Sequence, residues 1–249
     1  MTYPTQYPLY IFAVSFLALW VAARIGSSFK EIVKERRDDF AAIMTTTFTL
    51  LGLIVGFTFS MAVTRYDQRK IFEEAEANAI GTEYARVGLL PDSDRDNARR
   101  LLREYVEQRI LFYQTQDREQ LRRINAVTAR VQKDLWDSVQ TPASTHQTAL
   151  TALVASGMND VLNSQGYTLA AWRNRIPMEA WVLMGVIATI DNLMIGVYLR
   201  TVRSGILLMV LPAILSIAFL LIADIDSPNG GLIHIRADNL NDVAQSFRS

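Results

Sequence analysis

Residues 41–63 form an unbroken apolar run, and the chain leaves it directly into a charged, helix-prone segment, 65–83. A helix rises 1.5 Å per residue and the bilayer hydrocarbon is about 30 Å thick, so a run of this length spans it. From Phe57 to Ile80 there is neither glycine nor proline. Nothing therefore stops the spanning helix at the membrane surface. One helix is expected to pass from lipid into water, coupling the membrane to a region outside it.

Three further apolar runs, 9–25, 180–199 and 206–223, are each about long enough to cross hydrocarbon. The first is the shortest, with Tyr7 and Arg24 at its interfaces. It lacks a basic leader and a small-residue cleavage site, so it reads as a retained helix. In lipid the backbone must satisfy its own hydrogen bonds, which makes each run a helix. The soluble stretch 65–175 carries sixteen basic and fifteen acidic residues. That balance gives no basic face and argues against a nucleic-acid partner. The chain has no cysteine, which excludes disulfides, thiolate metal sites and cysteine nucleophiles.

Helical signals fill the soluble stretch. Residues 65–90 are helix formers ending at Leu90-Pro91, after which Asp92 or Ser93 is expected to cap the next helix. Apolar residues then recur at Leu101, Leu102, Tyr105, Val106, Ile110, Phe112 and Tyr113 with helical spacing. Asp117 starts another helix, with Leu121, Ile124, Val127, Val131 and Leu135 on one face. A break is expected at Thr141-Pro142 and a new start at Ser144. The segment 26–40 mixes both charge signs at helical spacing, as a solvated interfacial helix does. No useful β-alternation occurs. The reading is all-α, with four transmembrane helices and a helical soluble domain inserted between helices two and three. Its boundaries are 1–64 (helices one and two), 65–177 (soluble domain), 178–226 (helices three and four) and 227–249 (tail).

No catalytic constellation is present. His146 and His234 stand far apart without carboxylates at ligand spacing, so no metal site is expected. No phosphate loop or nucleophile elbow occurs, and no cofactor is implied. Gly52 and Gly56 form a small-xxx-small pair, which lets helices approach closely within a subunit or between subunits. Thr49, Leu53 and Phe57 share one face of the second span. Asp191 and Asn192 lie near the middle of the third span, where an ionisable group is costly unless it faces a bundle interior or wet cavity. They read either as pathway residues or as a hydrogen-bonded link between helices. Asp224 and Asp226 precede Pro228 and two glycines, and can bind a cation or cap that turn.

Residues 55–66, Val-Gly-Phe-Thr-Phe-Ser-Met-Ala-Val-Thr-Arg-Tyr, resemble the second helix of the bestrophin channels, where a Gly-Phe pair precedes a Thr-Arg-aromatic group. Residues 97–113, with an Arg-Arg-Leu-Leu-Arg-Glu-Tyr core, are similar to the bestrophin helix that follows a loop. Residues 224–230 look like the acidic-Pro-Gly turn after the last bestrophin span, and Asn78-Ala-Ile-Gly81 is more typical of bacterial bestrophin-like proteins. The resemblance implies a pentameric ion channel of the bacterial inner membrane, anion-selective in animal members and cation-selective in some bacterial ones. It implies a pore neck of three residues on the second helix, falling on Thr49, Leu53 and Phe57. Thr49 departs from the apolar pattern, which makes the neck shorter or wetter. The acidic calcium clasp of animal members is reduced here to Asp224 and Asp226, which argues against calcium gating.

Three functions compete: a homo-oligomeric channel, a non-conducting scaffold or sensor whose helical domain binds a partner protein, and a transporter or membrane enzyme using Asp191. Sidedness is contested as well. Seven basic residues flank the side of the 26–40 loop (Arg24, Lys30, Lys34, Arg36, Arg37, Arg200, Arg203). Six flank the other (Arg65, Arg69, Lys70, Arg173, Arg175, Arg236). Short loops weigh most, which favours the soluble domain outside. The bestrophin plan instead sets that domain in the cytoplasm, and this is the expectation adopted.

Overall fold

The computed structural model describes residues 7–29, 37–199, 206–228 and 230–248. Residues 30–36 of the charged segment 26–40, together with Arg200, Arg203 and Asn229, lie outside the described residues. Helices follow in the order α1 (Pro8–Gly26), α2 (Arg37–Arg86), α3 (Asp92–Gln114), α4 (Arg118–Thr145), α5 (Ala149–Arg173), α6 (Met178–Tyr198), α7 (Leu207–Asp226) and α8 (Asp238–Ser246). A 3-10 turn, Val87–Leu89, joins α2 to α3. No strand occurs among the described residues. The class is all-α, with four helices long and apolar enough to cross a membrane.

The expected passage from span into soluble helix is present: α2 is one helix of 50 residues, about 75 Å long. The chain divides into two compact units. The first takes residues Met1–Tyr66 and Arg175–His234, and the second takes Asp67–Asn174 and Ile235–Ser249. The tail is therefore shared between them.

In the first unit, α1 packs on α6 and α7. Glycine makes the α1–α6 approach feasible. A Cβ on Gly26 would collide with the Leu193 carbonyl, and one on Gly196 would collide with the Ala23 carbonyl. Backbone-to-backbone contact of this kind is how helices gain dispersion energy in lipid, where no hydrophobic force drives them together. Leu19, Leu51, Met184, Ala188, Leu215 and Phe219 form one core layer. Ala62, Ile176, Ile222 and Ile225 form a second, toward the Tyr66 end of this unit.

In the second unit, apolar stripes of α3, α4 and α5 bury Leu102, Tyr105, Leu135, Val154, Met158 and Val161. Asp117 caps α4 by accepting from the Glu119 N–H at 2.9 Å. Two boundaries differ from expectation. Pro142 does not break α4, which runs on to Thr145. In the last turn the missing proline N–H forfeits only one bond, and the Pro142 carbonyl still accepts from His146 N–H at 2.8 Å. The next helix accordingly starts at Ala149 rather than Ser144. There Thr148 and Thr151 bond each other's backbone N–H reciprocally as a capping box. Helix α3 begins at Asp92 with Pro91 at the N-cap position and no side-chain cap. Asp92 and Asp94 instead place negative charge in the positive first turn.

Candidate pore face and polar sites

Span two is the least enclosed of the four. Only 6% of its most apolar window is buried within the protomer. Leu51, Ile54, Val55, Thr58 and Ala62 turn toward the bundle. Thr49, Leu53 and Phe57 lie together on an exposed face, Phe57 being 65% exposed. Phe59 is less open, at 38%. A Cβ on Gly52 or Gly56 would meet nothing within 4 Å. Close approach at this glycine pair is therefore not used inside the protomer. Thr49 satisfies its hydroxyl by donating to the Thr45 carbonyl at 2.8 Å, so this polar residue costs little in an apolar surrounding.

Asp191 and Asn192 sit elsewhere. Both are wholly buried, and Asp191 lies against Thr47 of α2. Thr47 and Thr49 are two residues apart, about 200° around the helix. Asp191 thus faces the bundle interior on the far side of α2 from the exposed stripe.

Asp224 and Asp226 are occupied by protein donors. The Asp224 carboxylate accepts from the Leu232 and Ile233 N–H groups at 2.8 and 3.0 Å. Gly231, with φ +96°, makes room for it, since a Cβ there would strike Asp224 Oδ1. The Asp226 carboxylate accepts from Ile176 N–H at 3.1 Å and lies 3.7 Å from Arg65 Nη1. It therefore ties the middle of α2, the entry to α6 and the end of α7. No cluster of three or more metal-ligating side chains occurs among the described residues.

The second unit holds a polar centre that the sequence reading missed. Glu76 and Arg109 are both fully buried and ion-paired, with Arg109 donating through Nε and Nη2. Thr168 Oγ1 donates to the same carboxylate at 3.1 Å. The Arg109 guanidinium also stacks 4.4 Å from the Phe112 ring centroid. Burial, with the Glu76 charge nearby, pushes the Tyr105 and Tyr113 hydroxyls well above the usual tyrosine range. Arg69 donates to the Ala171 and Asn174 carbonyls at the end of α5. Glu73 accepts from Leu240 N–H at 3.0 Å and from Asn239 Nδ2 at 2.6 Å, so it caps α8. Burial raises the Glu73 carboxyl above the ordinary range despite these bonds. Glu83 is buried with both oxygens unbonded, beside Gly157 and Arg86. Burial lifts it to about 8, with Arg86 opposing and Asp160 adding to the shift. The available signal was register: Arg69, Glu73, Glu76, Ile80 and Glu83 share one face of α2, the face that holds apolar Ile80.

These features define an all-helical, multi-span membrane protein whose second span continues as a helix of its soluble unit. The chain belongs to the bestrophin-like family: the model of the bestrophin-like domain matches residues 9–240. Among solved structures it is similar to a bacterial bestrophin homologue from Klebsiella pneumoniae. One crystal structure of that protein, with a tyrosine-to-alanine substitution, has TM-score 0.69 at 11% identity and covers 94% of this chain and 96% of its own. A second, with a tryptophan-to-alanine substitution, gives 0.68 at 12% over 96% of each chain. A third, phased on zinc, gives 0.65 at 12% over 96% of each. At such identities the likeness establishes the fold. A comparison with curated protein sequences gives no match.

Proposed function

We propose that this protein is a homo-oligomeric ion channel in which α2 lines a central axis, with Thr49, Leu53 and Phe57 as the pore neck. Membership of the bestrophin-like family supports a membrane ion channel as the class, and a channel rather than an enzyme. The observation that carries the finer reading is the exposed α2 face. A span only 6% buried, with an open glycine pair beside Leu53 and Phe57, leaves this face for other copies or lipid. Copies arranged around an axis bring the Phe57 rings together, and a ring of apolar side chains gates by dewetting. Repeated heterologous contacts close into a ring, for which we propose five copies. The permeating species are inorganic ions. The location is the bacterial inner membrane, with the soluble unit cytoplasmic.

The transporter or enzyme reading loses support because Asp191 is wholly buried and turned away from the exposed stripe. The scaffold reading remains the alternative. The test is conductance of purified protein in planar bilayers, with native mass spectrometry on the same sample. Phe57→Ala is expected to raise current and weaken ion discrimination, while Phe59→Ala acts mainly on stability. Unchanged current in Phe57→Ala with raised current in Phe59→Ala would refute this helix phase. A monomer or dimer in detergent, or silence in parent and variants alike, favours the scaffold.

A further inference from the structure

Four arginines stand within residues 95–103 of α3, and two of them are neutralised on their own helix. Arg95 pairs with Asp92 and Asp96, and Arg100 with Glu104. Arg99 and Arg103 form no ion pair among the described residues. Both converge instead on Tyr84 of α2. Their guanidinium carbons lie 5.1 and 5.5 Å from its ring centroid. Arg103 Nη2 also donates to the Tyr84 hydroxyl oxygen. The ring is held from α8, where Phe247 stacks on it at 3.8 Å. Arg99 lies against the turn after α2: its Nη2 is 3.2 Å from where a Cβ on Gly88 would stand, and its Nε is shielded from solvent. Helices α2, α3 and α8 thus set two cations around one tyrosine within the second unit.

This arrangement is rich in donors and short of acceptors. A guanidinium only donates. The Tyr84 oxygen accepts one bond from Arg103, while its own hydrogen has no acceptor among the described residues. The aromatic ring attracts both cations without cancelling their charge. Like charges one helical turn apart, as at positions 99 and 103, repel. An oxyanion supplies what is missing: lone pairs for the N–H and O–H groups, and negative charge for both cations. Charge balance selects its valence, since two unneutralised guanidiniums match a dianion and a carboxylate or chloride offsets only one. Geometry selects its shape, because planar N–H forks bind pairs of oxygens, which a phosphoryl group presents and a halide does not. The Arg103–Tyr84 bond and the Phe247 stack hold these groups in place beforehand, so binding orders little.

We propose that Arg99, Arg103 and the Tyr84 hydroxyl form a binding site for a phosphoryl dianion, one per subunit, at the junction of α2, α3 and α8. The site lies in the second unit and does not depend on whether the protein conducts. It is tested by thermal unfolding of the full-length protein in detergent. Inorganic phosphate, methyl phosphate, acetate and chloride are titrated as sodium salts at equal ionic strength and neutral pH. A bound ligand stabilises the folded state by mass action, so saturating phosphate or methyl phosphate is expected to raise the midpoint on the order of 5 °C over chloride. A saturable rise with either one supports the site, and the lower half-saturating concentration tells a free ion from an ester. Arg103→Gln and Arg99→Gln should each abolish the rise. Tyr84→Phe, which keeps the stacked ring, should shift half-saturation upward several-fold. Arg100→Gln, whose arginine already has Glu104, should respond as the parent. Equal midpoints in all four salts would overturn the site. So would a rise of equal size in parent and Arg103→Gln, which assigns it to the general salting effect of phosphate. A rise matched by acetate overturns the dianion. Should Arg99→Gln fail to fold, the exposed Arg103 decides the matter alone.

Discussion

Glu83 offers a test of the packing of the second unit through pH. Its carboxyl is buried beside Gly157, carries no hydrogen bond among the described residues, and is lifted from 4.5 to about 8. The folded form therefore holds its proton where the unfolded chain has already released it. Stability from this group is fully present below pH 4.5, falls as pH rises, and levels off above pH 8. Within that window the slope is about 1.4 kcal/mol per pH unit, or roughly 3 kcal/mol between pH 5.5 and 7.5. For a chain of this size that amounts to roughly 5–10 °C in midpoint. Glu83→Gln keeps the shape and removes the titration. The assay is the difference in melting midpoint between variant and parent across pH 5 to 8.5, measured in one detergent and one salt. The variant should gain on the parent steadily as pH rises. A difference that is flat, or that shrinks with pH, would refute a buried, proton-holding Glu83.

Other outcomes follow from the same packing. Arg109→Met leaves the Glu76 carboxylate buried and without its ion pair, and should cost about 3–5 kcal/mol; adding Glu76→Gln should recover part of it, both read by thermal or denaturant unfolding. Gly196→Ala drives a methyl into the Ala23 carbonyl and should sharply lower the yield of folded protein, whereas Gly185→Ala, with nothing within 4 Å, should behave as the parent in size-exclusion profiles.

The membrane part of the fold was legible because lipid imposes a length. Runs 9–25, 180–199 and 206–223 correspond to α1, α6 and α7, and the missing breaker after Val63 foretold the unbroken α2. The soluble helices were legible as stripes, though their ends were not. Pro142 read as a stop because its position within the last turn is a fact of the structure rather than of the residue. Helix α8 was passed over, although Leu240, Val243 and Phe247 have helical spacing. The Glu76–Arg109 pair was invisible for a physical reason: a charged residue in sequence carries no mark of whether water or a partner neutralises it. The exposed stripe at Thr49, Leu53 and Phe57 was readable as a face, while its occupant lies beyond a single chain.

Glu73 and Leu240 are 167 positions apart in sequence, with α6 and α7 between them. The second unit is therefore not a contiguous piece of chain. Its closing element arrives only after two further spans have been made, so order of synthesis enters its folding. Until then Glu73 lacks its two donors, and the surface that receives Val243, Leu240 and Phe247 stands open to water. A segment cut at residues 67–174 would carry that open surface permanently. Faulty insertion of either late span would leave the same mark, giving a soluble-side signature of an error made in the membrane.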